Sequence, residues 1–202
     1  KKIFVTGGAG YVGSHTCVEL LKKNYEVTVF DDFSNSSKLA LKRVELLTNR
    51  KVSLVVGDIT NQNTLNEALA KVNPDCILHF AGLKSVAESI SEPLAYYNVN
   101  VRGSINLLNA MAAIGCTDIV FSSSATVYGE INAPPYDESM PTLPGSPYGK
   151  TKQIFENILQ DWVKSSSLNR AVVLRYFNPV GAHVSGLIGE DPKNTPNNLM
   201  PI

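Results

Sequence analysis

Two hydrophobic rhythms take turns along this chain. Lys2 to Thr6 is a short, apolar, β-branched run, as a buried strand requires. From His15 to Lys23 the apolar positions Val18, Leu20 and Leu21 fall at helical spacing, with Lys22 and Lys23 closing the segment. Glu26 to Phe30 reads as strand, Leu39 to Leu47 as helix and Val52 to Val56 as strand. Asn61 to Val72 predicts a helix capped by Asn61, with Leu65, Ala68 and Leu69 on one side. Further strands are expected at Asp75 to Ala81, Thr117 to Ser123 and Arg170 to Phe177. Helices from Pro93 to about Ile114 and from Ser146 to Val163 separate them. The alternation predicts an α/β fold: a doubly wound parallel sheet with helices on both faces and right-handed crossovers. In such sheets functional groups gather at the carboxyl ends of strands. Asp31, Asp58, Ala81, Ser122 to Ser124 and Asn178 all fall at such ends.

Two stretches lack either rhythm. Residues 129–147 hold five of the eleven prolines and precede the helix that starts at Ser146, so they are expected to cover an active site. Residues 178–202 are rich in Gly and Pro and read as the entry to another element that the chain does not complete. Composition narrows the classes further. The 202 residues carry 18 basic and 18 acidic side chains, and no basic stripe argues for nucleic acid or an anionic membrane. No apolar run approaches a membrane span, and no signal peptide is seen, so a cytoplasmic setting is expected. Cys17, Cys76 and Cys116 are far apart and odd in number, indicating neither a disulfide framework nor a zinc site. His15, His79 and His183 have no metal-ligand spacing, and His79, between Leu78 and Phe80, reads as a core histidine.

The first turn carries the clearest chemistry. Gly7-Gly8-Ala9-Gly10-Tyr11-Val12-Gly13 lies between strand and helix and contains the spacing Gly7-x-x-Gly10-x-x-Gly13. Glycine allows close backbone approach and a helix N-terminus favours an anion, so the segment predicts a phosphate cradle. Ser14 stands where a Walker A lysine would follow Gly13. Asp31 closes the second strand eighteen residues after Gly13. A carboxylate there accepts from ribose hydroxyls and repels a 2′-phosphate, favouring NAD over NADP.

Tyr148 and Lys152 are four apart on a predicted helix and share a face. A tyrosine ordinarily titrates near pH 10, and an adjacent cation is expected to lower that, making Tyr148 a candidate base for a hydroxyl proton. The serines Ser122 to Ser124 follow the fifth strand, where a hydroxyl can donate to a substrate oxygen and relay a proton to Tyr148.

Together these blocks resemble the extended short-chain dehydrogenase/reductase family, on its nucleotide-sugar epimerase side. The matching segments are Thr6 to Thr16, His79 to Lys84, Ser122 to Gly129, Ser146 to Lys150, Arg175 to Pro179 and Asn197 to Pro201. The resemblance implies an NAD-binding Rossmann domain over residues 1–177 and the beginning of a substrate domain over 178–202. The family's chains are longer, and this one has no initiator methionine. By resemblance, Gly7, Gly10, Tyr11, Val12 and Gly13 would hold the pyrophosphate, and Asp31, Asn35 and Ser36 the adenosine ribose and its phosphate. Asp58 and Ile59 would meet adenine, and Phe80 and Lys84 the region near the nicotinamide. Tyr148 would be the base, aided by Ser124, with Lys152 on the nicotinamide ribose. Lys84, Ser124, Ala125, Thr126, Tyr148, Tyr176, Phe177, Asn178, Asn197, Asn198 and Leu199 would form the sugar-nucleotide pocket. Asn98-Val99-Asn100 departs from members that carry adjacent asparagines, which leaves a cofactor contact from that turn open. Sugar dehydratases of the family carry an acidic pair where Ala125 and Thr126 stand, so dehydration is not expected. The implied activity is interconversion of UDP-glucose and UDP-galactose through a 4-keto sugar, in galactose metabolism, by a homodimer. A net dehydrogenase using the same residues and a non-catalytic NAD-binding module are the alternatives.

Overall fold

The structure is a computed structural model that describes residues 1–131 and 133–192. Six strands, β1 (Lys2–Thr6), β2 (Glu26–Asp31), β3 (Ser53–Val56), β4 (Cys76–His79), β5 (Asp118–Ser124) and β6 (Arg170–Tyr176), form one sheet. All pairings are parallel, in the order β3-β2-β1-β4-β5-β6. The strand order reverses between β1 and β4, which creates the switch-point crevice expected of doubly wound sheets.

The pleat of β1 sets the two layers. Ile3 and Val5 point to one face and pack with Val18, Leu21, Leu41 and Val44 of helices α1 (Tyr11–Lys22) and α2 (Lys38–Thr48). Phe4 points to the other, among Leu65 and Leu69 of α3 (Gln62–Val72), Leu107 and Met111 of α6 (Gly103–Ile114), and Phe155 of α7 (Pro147–Ser165). Two short helices, α4 (Val86–Ser91) and α5 (Pro93–Tyr96), lie between β4 and α6. Asn61 caps α3 as expected, its side-chain oxygen accepting from Thr64 N at 3.2 Å.

Three local features depart from the sequence reading. Helix α1 starts at Tyr11 rather than His15, because the glycine turn runs straight into it. The expected single helix from Pro93 to Ile114 is α5, a π-helical turn at Tyr97–Arg102, and α6. Helix α4 was not foreseen: it has six residues, is capped by Ser85, and buries only Ser89.

β6 is an edge strand among the described residues. Ala171 and Val173 pack against the core, while Val172 and Leu174 on the other face stay exposed. Residues 129–146 have their ends drawn together: a Cβ on Gly129 would lie 1.9 Å from Leu143 O. The Gln153 amide donates to Thr142 Oγ1 at 2.7 Å, tying this loop to α7. Residues 178–192 contain no helix or strand, yet Ile188 is buried in the α1 and α2 layer.

Candidate active site

The glycine turn is forced by its surroundings. Gly7 has a φ of +68°, and a Cβ there would stand 2.6 Å from Ala81 N at the end of β4. A Cβ on Gly13 would meet Gly7 O at 2.3 Å, so strand and helix can approach this closely only without side chains. Gly10 caps α1 without a side-chain hydrogen bond, which leaves first-turn amides for an anion. Asp31 is buried beside them. Its Oδ2 accepts from Ala9 N at 2.9 Å, and its Oδ1 from Phe33 N at 3.0 Å and Ser36 Oγ at 2.6 Å. A carboxylate has about four acceptor sites. Three are used in fixing the turn, and one remains for a ribose hydroxyl. The residues present thus fit a dinucleotide.

The other expected cofactor residues follow β2, β3 and β4. Asn35 is exposed beside Ser36. Asp58 Oδ1 accepts from Thr60 N at 2.8 Å, and buried Ile59 packs under Gly103. Phe80 packs against the α1 and α2 layer. Lys84 is exposed and pairs with Glu190 at 2.7 Å, and Tyr11 donates its hydroxyl to Gly181 O at 2.5 Å. Residues 178–192 therefore lie against the glycine turn, which no periodicity signalled. Burial and the nearby Glu190 charge raise the Tyr11 phenol.

At the ends of β5 and β6 the proposed catalytic side chains converge. Ser124 closes β5, and its hydroxyl works against burial to lower the Tyr148 phenol. Thr126 in the 3-10 turn Ala125–Tyr128 donates to Ser124 Oγ at 2.9 Å, and Ala125 lies beside it. Ser146 caps α7 by accepting from Gly149 N at 3.1 Å, which starts the helix one residue before Tyr148. Lys152 Nζ donates to Ser122 O at 2.9 Å, and stands 4.9 Å from the Phe121 ring and 5.8 Å from the Tyr148 ring. Tyr176 pairs with Ser124 in register, and Phe177 and Asn178 continue from it, exposed. Asn197, Asn198 and Leu199 lie outside the described residues.

The electrostatic expectation for Tyr148 needs correction. The phenol is raised, not lowered: burial is the larger effect, and the Ser124 hydrogen bond offsets it in part. Lys152 gives one of its three donors to the Ser122 carbonyl, and burial lowers its ammonium to about 8, with Glu156 opposing that. His79 is confirmed as a core histidine. It bonds Thr6 Oγ1 at 2.7 Å and Ser104 Oγ at 2.8 Å, and burial, then the Lys152 charge, lowers it to about 3.

Two supports escaped the sequence reading. Asn100, within the π-helical turn, is buried and clamps Leu83 through N and O at 2.8 and 3.0 Å, and reaches Thr151 Oγ1 at 3.1 Å. It thus acts on protein backbone. Glu156 is buried between Ser123 and Arg175, and its position four residues beyond Lys152 was the signal available.

A glycine turn at the end of β1 and a Tyr, Lys and Ser group at the end of β5 suit a dinucleotide site, and comparison with known proteins gives the family. The chain belongs to the NAD dependent epimerase/dehydratase family, whose model matches residues 3–202. It is 50% identical over 200 residues to the UDP-glucose 4-epimerase of Dictyostelium discoideum, covering 99% of this chain and 58% of that protein. It is 49% identical over 204 residues to the enzyme of the same name from Neisseria meningitidis serogroup B, covering 100% and 60%. The crystal structure of UDP-glucose 4-epimerase from Bifidobacterium longum with NAD+ and UDP superposes with a TM-score of 0.95 at 45% identity, covering 98% of this chain and 60% of that one. The chain therefore spans about three fifths of the length of these relatives.

Proposed function

We propose that this chain is the NAD-binding part of a UDP-glucose 4-epimerase, interconverting UDP-glucose and UDP-galactose in galactose metabolism. The observation that carries the reading is Lys152 held 5.8 Å from the Tyr148 ring, with Ser124 acting on that phenol, on the same parallel sheet whose first turn is the glycine cradle. Similarity to named epimerases over the whole chain supports it. Gly7, Gly10, Tyr11, Val12 and Gly13 hold the pyrophosphate, and Asp31, Asn35 and Ser36 the adenosine end. Asp58 and Ile59 meet the adenine. Phe80, Lys84 and Lys152 serve the nicotinamide end.

Bound NAD supplies a reversible hydride acceptor, so the sugar alcohol passes through a 4-keto sugar. Tyr148 takes the hydroxyl proton as the C–H bond breaks and returns it when the alcohol reforms. Ser124 orients the phenol and the sugar oxygen, and Thr126 holds Ser124. Lys152 places a cation beside the phenolate that accepts this proton. Ala125 and Thr126 supply no acid and base pair for dehydration. Lys84, Tyr176, Phe177, Asn178, Asn197, Asn198 and Leu199 contribute to the UDP-sugar pocket, with residues 178–202 opening the substrate domain.

The working protein is read as a cytoplasmic homodimer. Supporting that, Ile90 and Leu94 of α4 and α5, two helices that pack on α7, are 67% and 81% exposed. Among the described residues no helix is long and apolar enough to cross a membrane. The test is NMR product analysis of the enzyme incubated with UDP-galactose. UDP-glucose should appear without a net rise in NADH absorbance. Net reduction of added NAD would replace this reading with a dehydrogenase.

A further inference from the structure

We propose that Glu156 is a positioning residue of this site: its buried carboxylate, locked from the far side, holds Lys152 as an ammonium beside Tyr148. The inference rests on the reading of Tyr148 and Lys152 given above.

Tyr148, Lys152 and Glu156 are spaced by four on α7 and form a ladder along the face that meets the ends of β5 and β6. Glu156 is 4% exposed. Its Oε1 accepts a very short hydrogen bond from Ser123 Oγ, and Arg175 grips the carboxylate with Nη2 to Oε2 at 2.8 Å and Nε to Oε1 at 3.2 Å. Arg175 is in turn held over the Tyr128 ring at 4.8 Å. The carboxylate therefore cannot rotate away from the helix.

The groups facing Lys152 make this anion decisive. On its own helix are Tyr148 and Glu156, from β4 comes His79, and from β6 comes Arg175 behind Glu156. From α5, Tyr96 packs edge-on to Tyr148 at 6.4 Å, its own hydroxyl donated to Glu88 at 2.7 Å. β5 contributes a neutral carbonyl and the Phe121 ring. His79 is held uncharged, so it adds no cation. Among these, Glu156 is the one carboxylate that acts on the Lys152 charge. Without it, nothing would oppose the effect of burial, and Lys152 would shed its proton nearer neutral pH.

The experiment compares rate against pH for the NAD-loaded enzyme and its Glu156→Gln, Glu156→Asp and Arg175→Met variants. Lys152 itself is followed in each by NMR titration of lysine labelled at Cε, assigned by loss of the signal in Lys152→Arg. Glu156→Gln should move the Lys152 titration and the alkaline limb down by about one pH unit or more. Glu156→Asp should reverse part of that shift. Arg175→Met removes the competing cation and should shift Lys152 the opposite way, a sign that damaged packing does not produce. A Lys152 titration unmoved in both Glu156→Gln and Arg175→Met would overturn the inference, however far the rate falls. A shifted titration in an enzyme that fails to epimerise UDP-galactose would uphold it and remove the functional reading.

Discussion

Lys152 should make this fold less stable than it need be. The side chain is buried, and burial draws its ammonium from 10.5 to about 8. One pKa unit corresponds to about 1.4 kcal/mol. Keeping the charge inside below about pH 8 therefore costs about 3 kcal/mol. Methionine fills a similar volume without charge, but it removes the 2.9 Å donor to Ser122 O, a loss of about 1–2 kcal/mol. Lys152→Met should then be more stable than the parent at pH 7 by about 1–2 kcal/mol while losing turnover. The sign with pH is fixed by proton counting. Between about 8 and 10.5 the unfolded chain holds a proton that the native state has released, so the parent gains stability as pH rises. The methionine variant has no such gain. Equilibrium urea unfolding of both proteins, without added NAD, should show the gap at pH 7 shrink by about 2–3 kcal/mol at pH 10, and reverse. A gap that stays constant across that range would refute the reasoning.

Three further outcomes are expected. Tyr148→Phe should cut epimerisation by at least about 100-fold while bound NAD, measured by its absorbance after denaturation, stays near one per chain; a near-normal rate would remove Tyr148 as the base. Ser124→Ala removes the hydroxyl that lowers the Tyr148 phenol, so the acidic limb of the rate profile should move to higher pH. Gly7→Ala places a Cβ 2.6 Å from Ala81 N at a φ of +68°, so the thermal midpoint should fall by the equivalent of about 1–3 kcal/mol and NAD should bind weakly, both read by calorimetry.

The sheet was legible in the sequence because each buried strand is a short β-branched run whose neighbours have helical period. The pleat of Ile3, Phe4 and Val5 shows why: both faces are covered, so every position is apolar. Between Leu83 and Gly103 legibility failed. There the backbone is shaped by Asn100 reaching Leu83 and Tyr96 reaching Ser85, long-range polar contacts that leave no periodic trace. The site was legible as spacing but not as electrostatics. Tyr148 and Lys152 do share a face, yet the sequence could not show that burial would outweigh the cation. Asp31 was read for its ribose; that it also pins Ala9, Phe33 and Ser36 depends on a turn only the fold closes.

Residues Val172 and Leu174 leave β6 greasy on the side turned away from α7, and among the described residues no strand pairs with its outer edge. Such a border is a template: any extended chain that meets it can zip on, a hazard folded proteins suppress with a lid or a further strand. Among the described residues, the proposed catalytic end of this sheet thus shares its outermost strand with an open seam. Whatever roofs it also fixes how firmly Arg175, on that same strand, can grip Glu156.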